Sequence, residues 1–281
     1  MHHAKLRGLS TAYLEDGNPN QPIALCLHGF PDNAHVWDPI APLLSSRFHL
    51  IRPFNRGTSP SDDAKGLDRY RLQALTLDWL ELINQIDPDQ KRKIVLIGHD
   101  LGAVMAWELA SHLGNRLQNL IIFNGLSLPQ MISRWRSPNQ LLKSWYIYSF
   151  LVPGLCENTL LRIPPHFIKA GYRLAGYNLE IPSDLDRQSL TRGLLLYRGF
   201  ALDIKLKLLA ERKPLISPTL ILWGKNDPAL NHPLVDELKS DSTNLTIRLL
   251  EAGHWPYVED TKTVNLALNR FFDGGASHAT H

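Results

Sequence analysis

Only two cysteines, Cys26 and Cys156, occur in the 281 residues, one in the apolar stretch PIALCLHG and the other far away in PGLCEN. A pair so placed makes no disulfide framework, and a reducing compartment, the cytoplasm, is the expected location. Charge of one sign is scarce as well. The 30 basic and 27 acidic residues leave a net +3, with no block of five like charges, which argues against nucleic acid or an anionic membrane as a partner. No apolar run reaches about 18 residues, so no membrane span is expected, and the opening MHHAKLRGLSTAYLEDG lacks the apolar core of a signal peptide. Metal-ligand spacing is missing too. Of the twelve histidines, His2, His3, His278 and His281 sit at ends expected to fray, and no H-x-x-x-H or C-x-x-C pair occurs. No metal is therefore expected.

What is present is an alternation. Short runs of Val, Ile and Leu recur at Pro22–Gly29, Arg47–Pro53, Arg92–His99, Leu117–Gly125, Pro218–Gly224 and Leu245–Gly253, as in a parallel sheet covered on both faces. Between them lie helical patterns. Leu72, Leu75, Trp79, Ile83 and Ile86 make one apolar stripe, Leu101–Leu113 is apolar nearly all round, and Thr261–Phe272 turns Val264, Leu268, Phe271 and Phe272 inward. The expected fold is α/β, a mostly parallel, doubly wound sheet. From Ser127 to Pro214 the alternation stops, and the chain becomes rich in arginine, tyrosine and Pro-bounded helical stretches. This reads as a helical cap, residues 127–214, inserted between two strands of a core made of residues 1–126 and 215–281.

The stretch IVLIGHDLGAVMAWELA turns a strand into a helix through Gly98-His99-Asp100-Leu101-Gly102. So sharp a turn forces unusual backbone angles on its central residue and requires neighbours without bulk. It lifts Asp100 to the top of the sheet at a helix N-terminus, where backbone N–H groups stabilise negative charge. Asp100 could instead be an ordinary helix cap, Asp227 in LILWGKNDPAL a turn residue before Pro228, and His254 in LLEAGHWPYVED a buried histidine. Together they follow the chain order nucleophile, acid, histidine, each at a strand's carboxyl end. The loop His28-Gly29-Phe30-Pro31 lies beside the turn, so the N–H groups of Phe30 and Leu101 are candidate oxyanion donors.

These motifs, H-G-F-P at His28–Pro31, G-H-D-x-G at Gly98–Gly102, W-G-x-x-D at Trp223–Asp227 and G-H-W at Gly253–Trp255, resemble the epoxide hydrolase branch of the α/β-hydrolase fold over nearly the whole chain. The resemblance implies a cis peptide before Pro31. It implies that Asp100 forms a covalent ester with a small or medium apolar epoxide, and that His254, oriented by Asp227, activates the water that hydrolyses it, with no cofactor. It also implies two cap tyrosines that protonate the epoxide oxygen. By spacing and context they are Tyr146, seven residues before Pro153, and Tyr197, followed by Arg198; Tyr148 is the alternative to Tyr146. The same likeness lines the substrate pocket with Phe30, Pro31, Leu101, Trp145, Tyr148 and Trp255.

Two other readings stand beside this one. A dehalogenase would use the same Asp, but the positions that hold a halide or a carboxylate in such enzymes are here Leu101, Phe30 and Val104. A ligand-binding protein that keeps the fold has little need of the whole set. Asn124, where some dehalogenases place the acid, is neutral, which leaves that role to Asp227. One departure is plain: RPFNRGTSPS has Phe54 where relatives usually have Asp, and Ser59 in place of a glycine, so this loop is expected to differ. Monomer and homodimer are not distinguished.

Overall fold

The computed structural model describes residues 1–134, 140, 143–160, 162–163, 166–167, 170, 187–206, 213–233 and 235–274. Eight strands form one sheet: β1 His2–Leu6, β2 Leu9–Asp16, β3 Ile23–Leu27, β4 His49–Pro53, β5 Ile94–His99, β6 Leu117–Phe123, β7 Thr219–Gly224 and β8 Leu245–Leu250. Their order is β1-β2-β4-β3-β5-β6-β7-β8. From β4 to β8 every neighbour runs parallel, while β1 and β2 add an antiparallel edge. The α-helices among the described residues are α1 Ala41–Ser45, α2 Leu72–Ile86, α3 Leu101–Leu113, α4 Leu128–Arg134, α5 Trp145–Leu151, α6 Leu155–Leu160, α7 Arg187–Lys205, α8 Val235–Leu238, α9 Pro256–Glu259 and α10 Thr261–Phe272.

The six apolar runs are the strands β3 to β8. Side chains alternate along each strand, so both faces must be covered. Leu25, Leu27 and Leu96 meet α2 and α3 on one face, while Ala24, Cys26, Val95 and Ile97 meet α1 and α10 on the other. The stripe of α2 buries Leu72, Leu75, Trp79, Leu82 and Ile83, each large apolar side chain contributing about 2 kcal/mol. Helix α3 is buried along almost all of its length, as its apolar sequence requires. Cys26 and Cys156 are free, buried thiols. Among the described residues no helix is long and apolar enough to cross a membrane.

The N-terminus differs from expectation. His2 and His3 do not fray but pair with Tyr13 and Ala12 in the β1–β2 hairpin. Arg7 and Gly8, both at positive φ (48° and 88°), form the two-residue connection, the backbone twist that tight hairpins favour. Phe54 is buried with Ala12 and Ala34, and Arg56 turns inward to a buried ion pair with Asp78.

Between β6 and β7 the chain leaves the sheet for the helical insertion that holds α4 to α7. Its last helix is fastened to the core by close approach and by charge. A Cβ on Gly199 would stand 2.1 Å from the Tyr70 carbonyl oxygen, and one on Gly193 would stand 2.2 Å from the Phe30 ring. Asp203 accepts from Arg71 Nε at 2.7 Å and from the Leu72 N–H at 2.8 Å, and Arg192 pairs with Asp63 at 2.9 Å.

At the β5–α3 turn the spacing of glycines has a steric cause. A Cβ on Gly102 would lie 2.0 Å from the Leu27 carbonyl oxygen, and one on Gly98 would lie 2.7 Å from the Ala103 Cα. Both obstacles are backbone, which cannot swing aside. Gly102→Ala is therefore expected to lower stability by about 3 kcal/mol or more, read as a fall in the urea midpoint with an unchanged slope; a midpoint equal to wild type would contradict this packing.

Candidate active site

Strand β5 ends at His99, and the chain reverses into α3 with Asp100 at φ 50°, ψ −122°. A side-chain-bearing residue at such angles costs about 1–3 kcal/mol. Asp100 makes no side-chain capping bond to α3, which sets aside the reading of it as a helix cap. Its Oδ2 instead accepts the Phe30 N–H at 3.1 Å, and the Leu101 N–H also bonds the carboxylate. The two donors expected from sequence thus converge on the Asp100 side chain itself. Phe30–Pro31 is a cis peptide, as the resemblance implies. A Cβ on Gly29 would sit 2.5 Å from the Asp100 Cβ, so the donor loop approaches this closely only because that position is glycine.

The loops after β7 and β8 bring the other two residues together. His254 Nδ1–H donates to Asp227 Oδ2 at 2.8 Å, and both side chains are buried. Asn124, at φ 37° after β6, donates to the same Oδ2 at 2.5 Å, while its own oxygen accepts the Gly224 N–H at 3.0 Å. Asp227 Oδ1 accepts the N–H groups of Ala229 at 2.7 Å and Leu230 at 3.0 Å. Four donors therefore hold this carboxylate. Burial works against its ionisation, but His254, Asn124 and the Leu230 N–H outweigh burial and keep it below the usual carboxylate range.

Burial also pulls the His254 imidazole down, yet Asp227, Asp100 and Asp32 together carry it up to about 9. For Asp100 burial dominates and raises its carboxyl above the usual range, opposed by His254, His99 and the N–H groups of Leu101 and Phe30. The physical picture is a desolvated carboxylate and a desolvated imidazolium, each stabilising the charge of the other.

The insertion supplies the phenols. Tyr146 on α5 feels burial first, then the Asp100 and Asp227 carboxylates, all of which raise it and keep it protonated. Tyr197 on α7 is buried, with its ring 5.7 Å from Phe30 and 5.1 Å from Phe150. Tyr148, expected to line the pocket, is 47 % exposed. Two residues from Tyr146 on one helix, it points to the opposite side, so Tyr146 is the phenol of the two that faces Asp100. Leu101 is buried, Pro31 partly so, and the Trp255 ring packs edge-on to His254 at 4.8 Å. The Trp145 side chain lies outside the described residues.

Three neighbours were not singled out from sequence as parts of the site. Asp32 lies buried directly behind the H-G-F-P loop and accepts the Trp255 indole N–H at 3.0 Å. His99 stands between it and the histidine loop, with Nδ1 3.4 Å from Asp32 and Nε2–H donating to the His254 carbonyl at 2.8 Å. The third, Asn124, is a donor to the acid rather than an acid. Asp32 and His99 have no sequence signal beyond adjacency to the motifs, and Asn124 stands out in the sequence only as a neutral residue where an acid could sit. His28 proves structural: burial lowers it to about 4, and its Nε2 accepts the Asn55 N–H at 3.0 Å.

Comparison with known proteins agrees with this fold. A family model described as alpha/beta hydrolase fold matches residues 22–261. Epoxide hydrolase 3 of Mus musculus is 30% identical over 89% of this chain and 70% of its own length. The AB hydrolase superfamily protein YfhM of Bacillus subtilis is 30% identical over 92% of each. Among solved structures, a mutant of an epoxide hydrolase from Bacillus megaterium superposes with a TM-score of 0.81 at 25% identity, covering 97% of this chain and 100% of that one.

A histidine held at about 9 in the folded chain, against about 6.5 unfolded, binds its proton more tightly when folded. Its contribution to stability is full below pH 6.5 and is lost as pH rises towards 9. Urea unfolding across that window should show wild type losing about 3 kcal/mol relative to His254→Gln. Parallel pH profiles for the two proteins would contradict the assigned ionisation.

Proposed function

The chain belongs to the α/β-hydrolase fold family, with epoxide hydrolases among its relatives, and from that premise we propose that it opens a small or medium apolar epoxide to a vicinal diol through an ester on Asp100. The observation that supports this most directly is the pair of N–H groups, from Phe30 and Leu101, on the Asp100 carboxylate. In an enzyme with a serine nucleophile such donors serve the substrate's carbonyl. Here they sit on the enzyme's own carboxyl group, where a tetrahedral oxyanion forms only if water attacks that group.

The cycle balances in protons. In the resting site Asp100 is ionised and His254 protonated. Asp100 attacks an epoxide carbon, the carbon–oxygen bond breaks, and Tyr146 or Tyr197 gives its proton to the departing oxygen. Esterification removes the Asp100 charge, one of the three that hold His254 up. The imidazole then releases its proton, which restores the phenol, and becomes a base. With Nδ1 fixed to Asp227, Nε2 takes a proton from water, and the hydroxide attacks the Asp100 carboxyl carbon. The tetrahedral oxyanion collapses and breaks the ester carbon–oxygen bond, the remaining proton of the added hydroxyl goes to the departing alkoxide, and the diol leaves with the Asp100 carboxylate and the His254 imidazolium restored. Residues 127–214 act as the cap that brings the phenols over the carboxylate and keeps bulk water from it.

Halide displacement by the same Asp has less support. The Trp255 indole N–H is already given to Asp32, and Leu101 and Phe30 offer no side-chain donor to a halide.

A single turnover of styrene oxide in ¹⁸O-water should place the label in Asp100 and leave the first diol unlabelled; label in the first diol with an unlabelled enzyme rejects the ester. In His254→Gln the ester should form and persist, visible as a mass increase on the peptide holding Asp100. Replacing Tyr146 and Tyr197 together by Phe should lower ester formation from epoxides by at least about 100-fold, and an unchanged rate would remove the phenols from the reaction.

A further inference from the structure

Gln140 is a buried amide that no sequence motif marks, and its hydrogen-bonding groups face the loop of Asp227. Its Nε2–H₂ donates to the Ala229 carbonyl at 2.9 Å and to Ser144 Oγ at 2.7 Å. Its Oε1 accepts the Asn231 N–H at 3.1 Å. Three residues on, Lys143 Nζ donates to the Asp227 carbonyl at 2.9 Å. The Asp227–Asn231 loop is thus bonded on two sides. Its N–H groups at 229 and 230 take the Asp227 carboxylate, while its carbonyls at 227 and 229 and its N–H at 231 take the insertion.

Gln140 and Lys143 immediately precede α5, the helix of Tyr146. The Ser144 N–H bonds the Gln140 carbonyl at 2.8 Å, and the Ile147 N–H bonds the Ser144 carbonyl in turn at 3.0 Å. We infer that Gln140, assisted by Lys143, is a positioning residue that fastens the Asp227 loop to the helix bearing Tyr146, so that the acid behind His254 and the phenol facing Asp100 share one frame. This rests on the reading of Asp100 as the nucleophile only for its kinetic consequence. The tether is a statement about geometry. A flexible polar contact would leave donors or acceptors to water, whereas this buried amide uses both donors and its acceptor on protein groups, which fixes its orientation.

Gln140→Glu keeps the shape and the acceptor but removes both donors. Lys143→Met removes the ammonium from a partly exposed position, and Lys143→Arg restores a donor. The primary readout needs no substrate: the downfield proton resonance of His254 Nδ1–H in its bond to Asp227, assigned by its loss in His254→Gln. In Gln140→Glu and Lys143→Met the resonance should broaden and exchange with solvent at least about tenfold faster, with Lys143→Arg close to wild type. In single turnovers of styrene oxide, ester formation and ester hydrolysis should both slow by about tenfold to a hundredfold, after correction for the folded fraction by circular dichroism. If Gln140→Glu misfolds, Lys143→Met decides. A resonance as sharp and as protected as wild type in the folded variant overturns the inference. Absence of any ester in wild type would instead count against the Asp100 reading and leave the resonance as the test of the tether.

Discussion

The site depends on one backbone constraint, the left-handed turn that holds Asp100 at φ 50°. Everything near it is shaped by how closely other chain segments must approach. Gly29 lets the donor loop come down on the carboxylate, and Gly102 lets α3 pass against the end of β3. Gly125, at the end of β6, leaves no room for a Cβ beside Ala103 and the Asp100 backbone. The strain of about 1–3 kcal/mol at Asp100 is sustained because β3, β5, β6 and α3 over-determine the turn. The side chain is thereby presented within electrostatic reach of Tyr146 while it keeps the N–H groups of Phe30 and Leu101.

A second constraint is charge in a dry place. Asp100, Asp227 and Asp32 surround His254, and the three carboxylates do not have equal support. Asp227 has four hydrogen-bond donors and stays ionised. Asp100 has two N–H groups and the imidazole, and burial raises it. This asymmetry suits the proposed division of roles, in which Asp227 is locked as a fixed charge and Asp100 is the group that would carry the ester. The neutral Asn124 fits the same logic, because a fourth acid there would compete for the histidine proton, whereas an amide reinforces Asp227.

Much of this could be read from the chain because the relevant signals are local. Continuous apolar runs marked β3 to β8, and the bounds of α3 and α10 coincide with the apolar periodicity. Glycines two residues to either side of Asp100 marked the turn. The hairpin of β1 and β2 was missed because three of the five β1 residues are exposed, and its turn, Arg7-Gly8, lies between short polar-mixed strands without a long apolar pattern. Asp32, His99 and Gln140 were silent for a different reason. Their importance comes from partners 223, 155 and 89 residues away in sequence, and a buried polar residue announces itself only once those partners are placed. Tyr148 shows the limit of spacing arguments on a helix: two phenols two residues apart satisfy a sequence pattern about equally well, and only the direction of the helix separates them.

The insertion and the sheet are therefore not independent parts. Its last helix packs Gly193 on the ring of Phe30, the residue whose N–H holds Asp100, and its earlier segment bonds the loop of Asp227 through Gln140 and Lys143. Both ends of the insertion thus meet the core at loops that handle charge rather than at featureless surface. A shift of the insertion would move Phe30 against the carboxylate on one side and the Asp227 loop on the other, along with the phenols on its own helices. The apolar rings of Phe30, Phe150 and Tyr197, packed edge to face, add little directional force of their own. The polar contacts with Asp203, Asp63 and the Asp227 loop are the directional ones, and they fasten the helices that carry those rings to the core.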